Sequence, residues 1–358
     1  MQPINTLKGQ KPIVIAGPCS AESREQLLVT CDAIVRNGGV HLLRAGIWKP
    51  RTRPGTFEGV GEVGLEWLAE AGKRASLPTA TEVASAKHVE AALKNGVEVV
   101  WLGARTTTNP VLVQEIAEAV AGTDLNVLIK NPMNPDIELW AGAVARMERC
   151  GVARERIGLI HRGFATSSSW KYRNEPMWHL VLDMQRKFPD MVLLCDPSHM
   201  CGCREYLQEV SQTAANMNYD GLIIESHICP SQALSDAAQQ LTPDDLKVLL
   251  ESVSWRAEQS SDEEYKRELA LCREEIDQID NELFDLLGRR MQVAERIGHI
   301  KKENGVVILQ GGRWSSIVER IVGRSGELGL SEEFVRSVLY SIHAESIDHQ
   351  NRILAGEE

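Results

Sequence analysis

Short apolar, β-branched runs alternate with segments of helical periodicity along the first 255 residues, and the alternation repeats eight times. The runs are PIVIAG from Pro12, VHLLRAGI from Val40, LPTATEV from Leu77, VEVVWLGA from Val97, NVLIKN from Asn126, RIGLIHRGF from Arg156, MVLLCDPSH from Met191 and YDGLIIESH from Tyr219. Between them, segments such as REQLLVTCDAIVRNG and SAKHVEAALKNG carry apolar residues at helical spacing and end in glycine, a frequent helix stop. Eight such units predict an α/β domain of the TIM (β/α)8 barrel type. A doubly wound open sheet is disfavoured, because the first strand is followed by GPCSAES rather than by a glycine-rich dinucleotide turn.

After Trp255 the character changes. RAEQSSDEEYKRE is polar and charged, which predicts a linker at 256–264 between a barrel at 1–255 and a smaller all-α three-helix domain at 265–358. From Leu269 the apolar residues Cys272, Ile276, Ile279, Leu283, Leu286, Val293, Ile297 and Ile300 follow steps of three and four, apart from one longer step between Leu286 and Val293. That is a single long helix with a heptad-like seam, stopping near Asn304 and Gly305. A second helix is expected from about Arg313 and a last one capped by Ser331. Three helices bury such a seam poorly within one chain, so a dimer is expected.

Composition excludes several classes of function. A net charge of −11 argues against a nucleic-acid partner, since backbone binding needs a basic face. No apolar run reaches about 18 residues, and MQPINTLKGQKP at the N-terminus lacks the apolar core of a signal peptide. Eight scattered cysteines in a chain of 358 residues fit free thiols in a reducing compartment. A cytoplasmic protein without a membrane partner is the expectation.

In a TIM barrel the active site is built at the C-terminal ends of the strands. Polar residues collect there in this chain. Cys19 follows the first run, His199 ends the seventh, Glu225 lies near the end of the eighth, and Asp236 follows in LSDAAQQ. A thiolate, an imidazole and two carboxylates suit a borderline divalent metal such as Mn²⁺, Fe²⁺, Co²⁺ or Zn²⁺. Arg44, Lys49, Arg51, Arg105, Lys130 and Arg162 form a basic ring inside an acidic protein, which fits small substrates carrying phosphate and carboxylate groups.

The strings AGPCSAES, LRAGIWKPRTRPGTFEG, LGAR, IHRGF, DPSHM and IIESHICPSQALSD resemble, in order, the motifs of the short single-barrel class of 3-deoxy-D-arabino-heptulosonate 7-phosphate (DAHP) synthases. The resemblance implies that Cys19, His199, Glu225 and Asp236 bind one divalent metal ion, with Mn²⁺ foremost. It also implies that Arg105, Lys130 and Arg162, with Lys49 close by, hold phosphoenolpyruvate, and that KPRT, Arg51 and Thr52 foremost, binds erythrose 4-phosphate. The sister octulosonate 8-phosphate synthases share the GPC start but carry a K-A-N segment where this chain has KPRT. Asn131 departs from relatives that have Arg there, which would remove one basic contact.

The longer step of the second domain's seam puts Arg290 at an expected apolar position. An unpaired charge in an interhelical core costs several kcal/mol, so an anionic partner is expected. Lys301, eleven residues on, returns to nearly the same face. CREEIDQIDNELFDLLGRRMQVAERIGHIKK resembles the first helix of the all-helical chorismate mutases, whose domains form intertwined dimers. That resemblance implies roles for Arg290, Lys301 and Gln350 in stabilising charge as chorismate becomes prephenate. It implies carboxylate contacts for Arg273 and Arg313, and a substrate contact for Ser346. Gln310 and Trp314 depart from the pattern. The expected protein is a bifunctional enzyme of aromatic biosynthesis whose helical domain also senses prephenate; the rival is a catalytic barrel with a non-catalytic helical sensor.

Overall fold

The computed structural model describes residues 1–49, 55–166 and 171–356. Arg51 and Thr52 lie outside them. The chain divides into two compact units, Met1–Glu258 and Gln259–Glu358.

In the first unit the strands are β1 (Ile13–Gly17), β2 (Leu42–Arg44), β3 (Thr79–Val83), β4 (Val99–Leu102), β5 (Asn126–Lys130), β6 (Ile157–His161), β7 (Leu193–Cys195) and β8 (Gly221–Glu225). Each pairs in parallel with the next, and β8 returns to β1 from Ile13↔Gly221 to Gly17↔Glu225, closing the barrel. Glycine at 221 permits the closure: a Cβ there would lie 1.8 Å from the Ile13 carbonyl oxygen. Side-chain alternation along the strands produces two apolar layers. Ile13, Ile15, Val99, Trp101, Leu128 and Ile223 fill the barrel, while Val14, Leu43, Val100, Val127 and Leu159 pack with the surrounding helices. The turn Ile4–Leu7 closes the N-terminal end: Ile4 is fully buried in the interior cluster, and its N–H donates to Asn126 Oδ1 at 2.7 Å.

The seventh run is shorter as a strand than the sequence suggests. β7 stops at Cys195, and His199 sits on a short helix, Pro197–Cys201, rather than at a strand end. Pro197 cannot donate to a ladder, and the Asp196 carboxylate accepts from the His199 N–H at 3.1 Å, which starts a helical turn.

The second unit contains a helix of 41 residues, Glu263–Glu303, followed by Gly311–Val322 and Glu332–Ala355. At 1.5 Å per residue the first is about 60 Å long. Glu263 and Glu264, read from sequence as the end of the linker, are its first residues, because Asp262 caps it by accepting from the N–H groups of Glu264 and Tyr265. Ser331 caps the last helix through Phe334. Ala294 and Gly298 are buried where the long and last helices meet, and Gly298 lets the Gln350 backbone approach: a Cβ would lie 3.3 Å from Gln350 Cα. The remaining seam is open in the single chain, with Ile276 and Ile279 each 56 % exposed and Leu286 57 %.

Candidate active sites

At the C-terminal end of the barrel, the sequence-predicted donors meet in pairs. Cys19 Sγ lies 3.4 Å from Asp236 Oδ2, and His199 Nε2 lies 3.6 Å from Glu225 Oε1. Two ligands of one ion, bonded at 2.0–2.3 Å in tetrahedral geometry, stand about 3.3–3.8 Å apart, a range that includes both separations, although 3.4 Å is also an ordinary thiol–carboxylate hydrogen bond. Among the described residues, no three His, Cys, Asp or Glu groups gather round one point. Basic groups stand among the donors. Lys49 Nζ donates to Cys19 Sγ at 3.0 Å, Arg44 Nη2 to Glu225 Oε1 at 3.2 Å, and Arg173 Nη1 to Asp236 Oδ1 at 3.0 Å. Asp236 is held at φ +45°, in the left-handed region that a non-glycine residue enters at a cost and mostly at functional positions.

The electrostatics follow from burial and these pairings. Burial and the Glu225 charge push the Cys19 thiol up to about 12. Burial alone would lower Lys49, but Cys19, Glu225 and Glu82 outweigh it and hold the ammonium above its ordinary value. Burial opposes ionisation of Glu225 and Asp196, yet His199 leads the charges that hold both carboxyls low, aided by Arg44 for Glu225 and Lys130 for Asp196.

The basic ring is only partly free. Lys130 Nζ pairs with Asp196 Oδ2 at 2.7 Å, and both are buried. Arg44 lies over Trp101, its guanidinium carbon 4.8 Å from the ring. Arg162 follows β6 and is buried; burial, then Arg173 and Arg105, push it down to about 10 against the pull of Asp196. Arg105 is exposed on the short helix Ala104–Thr107 after β4. Asn131 has a structural role. Its Oδ1 accepts from the Arg162 N–H at 2.7 Å and its Nδ2 donates to the Gly163 carbonyl at 2.8 Å, tying the end of β5 to the loop that carries Arg162.

In the helical unit a pocket of about 450 Å³ is lined by Arg290, Lys301, Arg313, Ser346 and Gln350, the residues expected there, with Gln310 and Trp314 among its other walls. Arg290 Nη1 donates to Ser346 Oγ, and Lys301 Nζ to the Ile308 carbonyl. Burial lowers the Arg290 guanidinium below its ordinary value. Gln350 Oε1 is buried without a hydrogen-bond partner among the described residues. Arg273 does not line this pocket.

Four site residues escape the sequence reading. Asp196 holds Lys130 and His199, Gln239 Nε2 donates to Glu225 Oε2 at 2.7 Å, Arg173 pairs with Asp236, and Glu82 contributes charge at Lys49. Asp196 stands inside the quoted DPSHM string and could have been found there. Arg173 and Gln239 reach the site from loops, where no periodicity points.

Residues 2–262 match the family model described as DAHP synthetase I family, and residues 272–351 match Chorismate mutase type II. The chain is 32% identical over 241 residues to the phospho-2-dehydro-3-deoxyheptonate aldolase of Thermotoga maritima, covering 67% of this chain and 68% of that protein. It is 29% identical to a 2-dehydro-3-deoxyphosphooctonate aldolase of Geobacter sp. strain M21, covering 68% of this chain and 92% of that protein. The solved structure of the Thermotoga maritima DAHP synthase superposes with a TM-score of 0.60 at 31% identity, over 67% of each chain.

Proposed function

The chain belongs to the DAHP synthetase I family and carries a C-terminal chorismate mutase type II domain, and from that premise we propose which residues perform its two activities and what they require. The division of labour is a synthase in the barrel unit, Met1–Glu258, and a mutase in the helical domain that begins with the long helix at Glu263, in a cytoplasmic enzyme. Its eight cysteines, all free thiols, suit that compartment.

In the barrel, phosphoenolpyruvate and water condense with erythrose 4-phosphate: the enol carbon bonds to the aldehyde carbon, water adds at C2, and inorganic phosphate leaves to give DAHP. Arg105, Lys130 and Arg162 hold the phosphate and carboxylate of phosphoenolpyruvate, Arg51 and Thr52 hold the second phosphate, and fixing both substrates brings the reacting carbons together. Arg44 positions Glu225. Lys49 Nζ, protonated in its buried setting, serves the aldehyde oxygen as negative charge builds there. Cys19, His199, Glu225 and Asp236 would hold one divalent ion, Mn²⁺ foremost with Fe²⁺, Co²⁺ or Zn²⁺ compatible. When bound, that ion supplies Lewis-acid polarisation of the aldehyde. The observation that carries this reading is the approach of Cys19 to Asp236 and of His199 to Glu225, each at the separation of two ligands on one ion. The test is dialysis against a strong chelator. DAHP formation should vanish and return with Mn²⁺, while prephenate formation persists; full synthase activity in rigorously metal-free protein or in Cys19→Ala overturns the metal assignment.

In the helical pocket, chorismate rearranges to prephenate by a pericyclic reaction that needs no nucleophile and no metal. Arg290, Lys301 and Gln350 stabilise charge on the ether and enolpyruvyl oxygens, Arg313 and Arg273 hold carboxylates, and Ser346 orients Arg290. Arg273 lies 17 residues before Arg290 on one helix, about 25 Å away at 1.5 Å per residue. An intertwined homodimer would cover the open seam and bring Arg273 of one chain to the pocket of the other. Prephenate in this pocket also inhibits the barrel. Consumption of chorismate by the full chain separates a working mutase from a helical sensor without turnover.

A further inference from the structure

His343 enters the helical pocket from the last helix, one turn before Ser346. Its imidazole lies flat on the Trp314 indole of the middle helix, centroids 4.0 Å apart and planes 14° apart. Tyr340, one turn earlier, flanks the same indole at 5.3 Å. The stack sets the orientation of the ring. His343 Nε2 is buried and has no hydrogen-bond partner among the described residues. A buried polar nitrogen is costly to leave unpaired, so its presence at a pocket wall points to a partner that the ligand brings.

The charged groups facing this pocket are Arg290 and Lys301 from the long helix and Arg313 from the middle helix. The last helix adds the neutral Ser346 and Gln350, and among the described residues no carboxylate lines the cavity. A proton on His343 in the free protein therefore meets cations and no counter-charge from the pocket wall. Burial first, then the Arg290 and Lys301 charges, hold the imidazole below its ordinary range. A ligand with two carboxylates reverses that field, because it neutralises the cations and offers oxygens to Nε2.

We propose that His343 is a contact residue for the bound dicarboxylate, its Nε2 hydrogen-bonding the ligand and its ring taking up one solvent proton as the ligand binds. The inference rests on the mutase reading of the pocket and adds a contact that the motif residues do not supply. Its sign follows from linkage. The ring holds a proton more tightly in the complex than in the free protein, so affinity rises as pH falls through the bound value and levels off below the free one.

The experiment is calorimetric titration of prephenate into the full chain at about pH 6.5, in two buffers of different ionisation enthalpy, beside His343→Gln and His343→Leu. The natural protein should take up a proton on binding and tighten about tenfold between about pH 8 and 6. His343→Gln keeps a donor but cannot titrate, so it should take up no proton and show a flat profile. His343→Leu should bind about fivefold more weakly at about pH 8. Natural-level proton uptake by His343→Gln, or natural affinity and pH profile in His343→Leu, overturns the proposal. Chorismate turnover by the same preparation keeps the two readings apart. A protein that consumes chorismate but takes up no proton on binding prephenate sinks this inference alone, and one that neither consumes chorismate nor binds prephenate sinks the mutase reading with it.

Discussion

Arg290 and Asp196 are charged groups that both call for a counter-charge; Asp196 is fully buried, whereas Arg290 is exposed in the single chain. Among the described residues, Arg290 donates only to Ser346 Oγ and the Ile342 carbonyl, neither of them charged. An anionic transition state is its natural counter-charge, so Arg290→Ala should lower chorismate turnover by at least ~100-fold, as loss of one preorganised charge stabiliser commonly does. Steady-state kinetics with an unchanged far-ultraviolet dichroism spectrum would check it; normal turnover would make Arg290 a structural cation. Asp196 is the counter-ion of the buried Lys130. Asp196→Asn should therefore destabilise the barrel by about 3–5 kcal/mol, the usual result of stranding a buried charge. Denaturant unfolding reads the loss, and a change under about 1 kcal/mol would mean that water reaches Lys130. The Asp196 carboxyl is held well below its ordinary value, so its contribution is present above about pH 4 and fades only as pH falls toward the folded value.

At the level of elements, legibility followed periodicity. Each of the eight apolar runs contains one strand, and Ser331 caps the last helix as its spacing suggests. The helical turn at Pro197 was not legible, because the apolar residues up to Cys195 run straight into DPSH and nothing in the spacing shows that the Asp196 carboxylate caps the N–H of His199. Nor was the role of Asn131, since a hydrogen bond from β5 to the loop after β6 depends on register that no local pattern encodes. In the barrel, the site residues that were legible sit at strand ends or in the short segments that follow them, where chain order fixes their place; Arg173 and Gln239 arrive through tertiary packing. The barrel's last pairing depends on one missing side chain. Gly221→Ala would drive a methyl group into the Ile13 backbone, so soluble, folded protein should fall steeply, by more than about 4 kcal/mol of stability if any is recovered. Thermal unfolding of the recovered protein checks this, and a melting temperature within a few degrees of the natural protein's would show that β8 can shift to make room.

For the whole molecule the question is why a barrel and a helical domain share one chain. The barrel unit Met1–Glu258 has its own two-layer core, so a truncation near Trp255 is expected to fold and to form DAHP. If prephenate in the helical pocket restrains the barrel, full-length protein should be inhibited by prephenate and the truncated barrel should not. Such coupling requires that prephenate favour the restrained arrangement, typically by 1 to 3 kcal/mol. Initial rates of both proteins across a prephenate series decide it, and equal sensitivity of the truncated barrel would place the effector site in the barrel.

Barrel closure also sets a timetable during synthesis. Ile13 pairs with Gly221, about 200 positions later, so at about 5–20 residues per second β1 waits some 10–40 seconds on the ribosome for its second neighbour. Throughout that interval IVIAG, every residue of which is buried in the finished fold, presents an unpaired apolar edge. Newly made chains are therefore expected to lean on chaperones until β8 emerges, so lowering chaperone supply in the producing cell should cost far more soluble protein than the same depletion imposed after synthesis is complete.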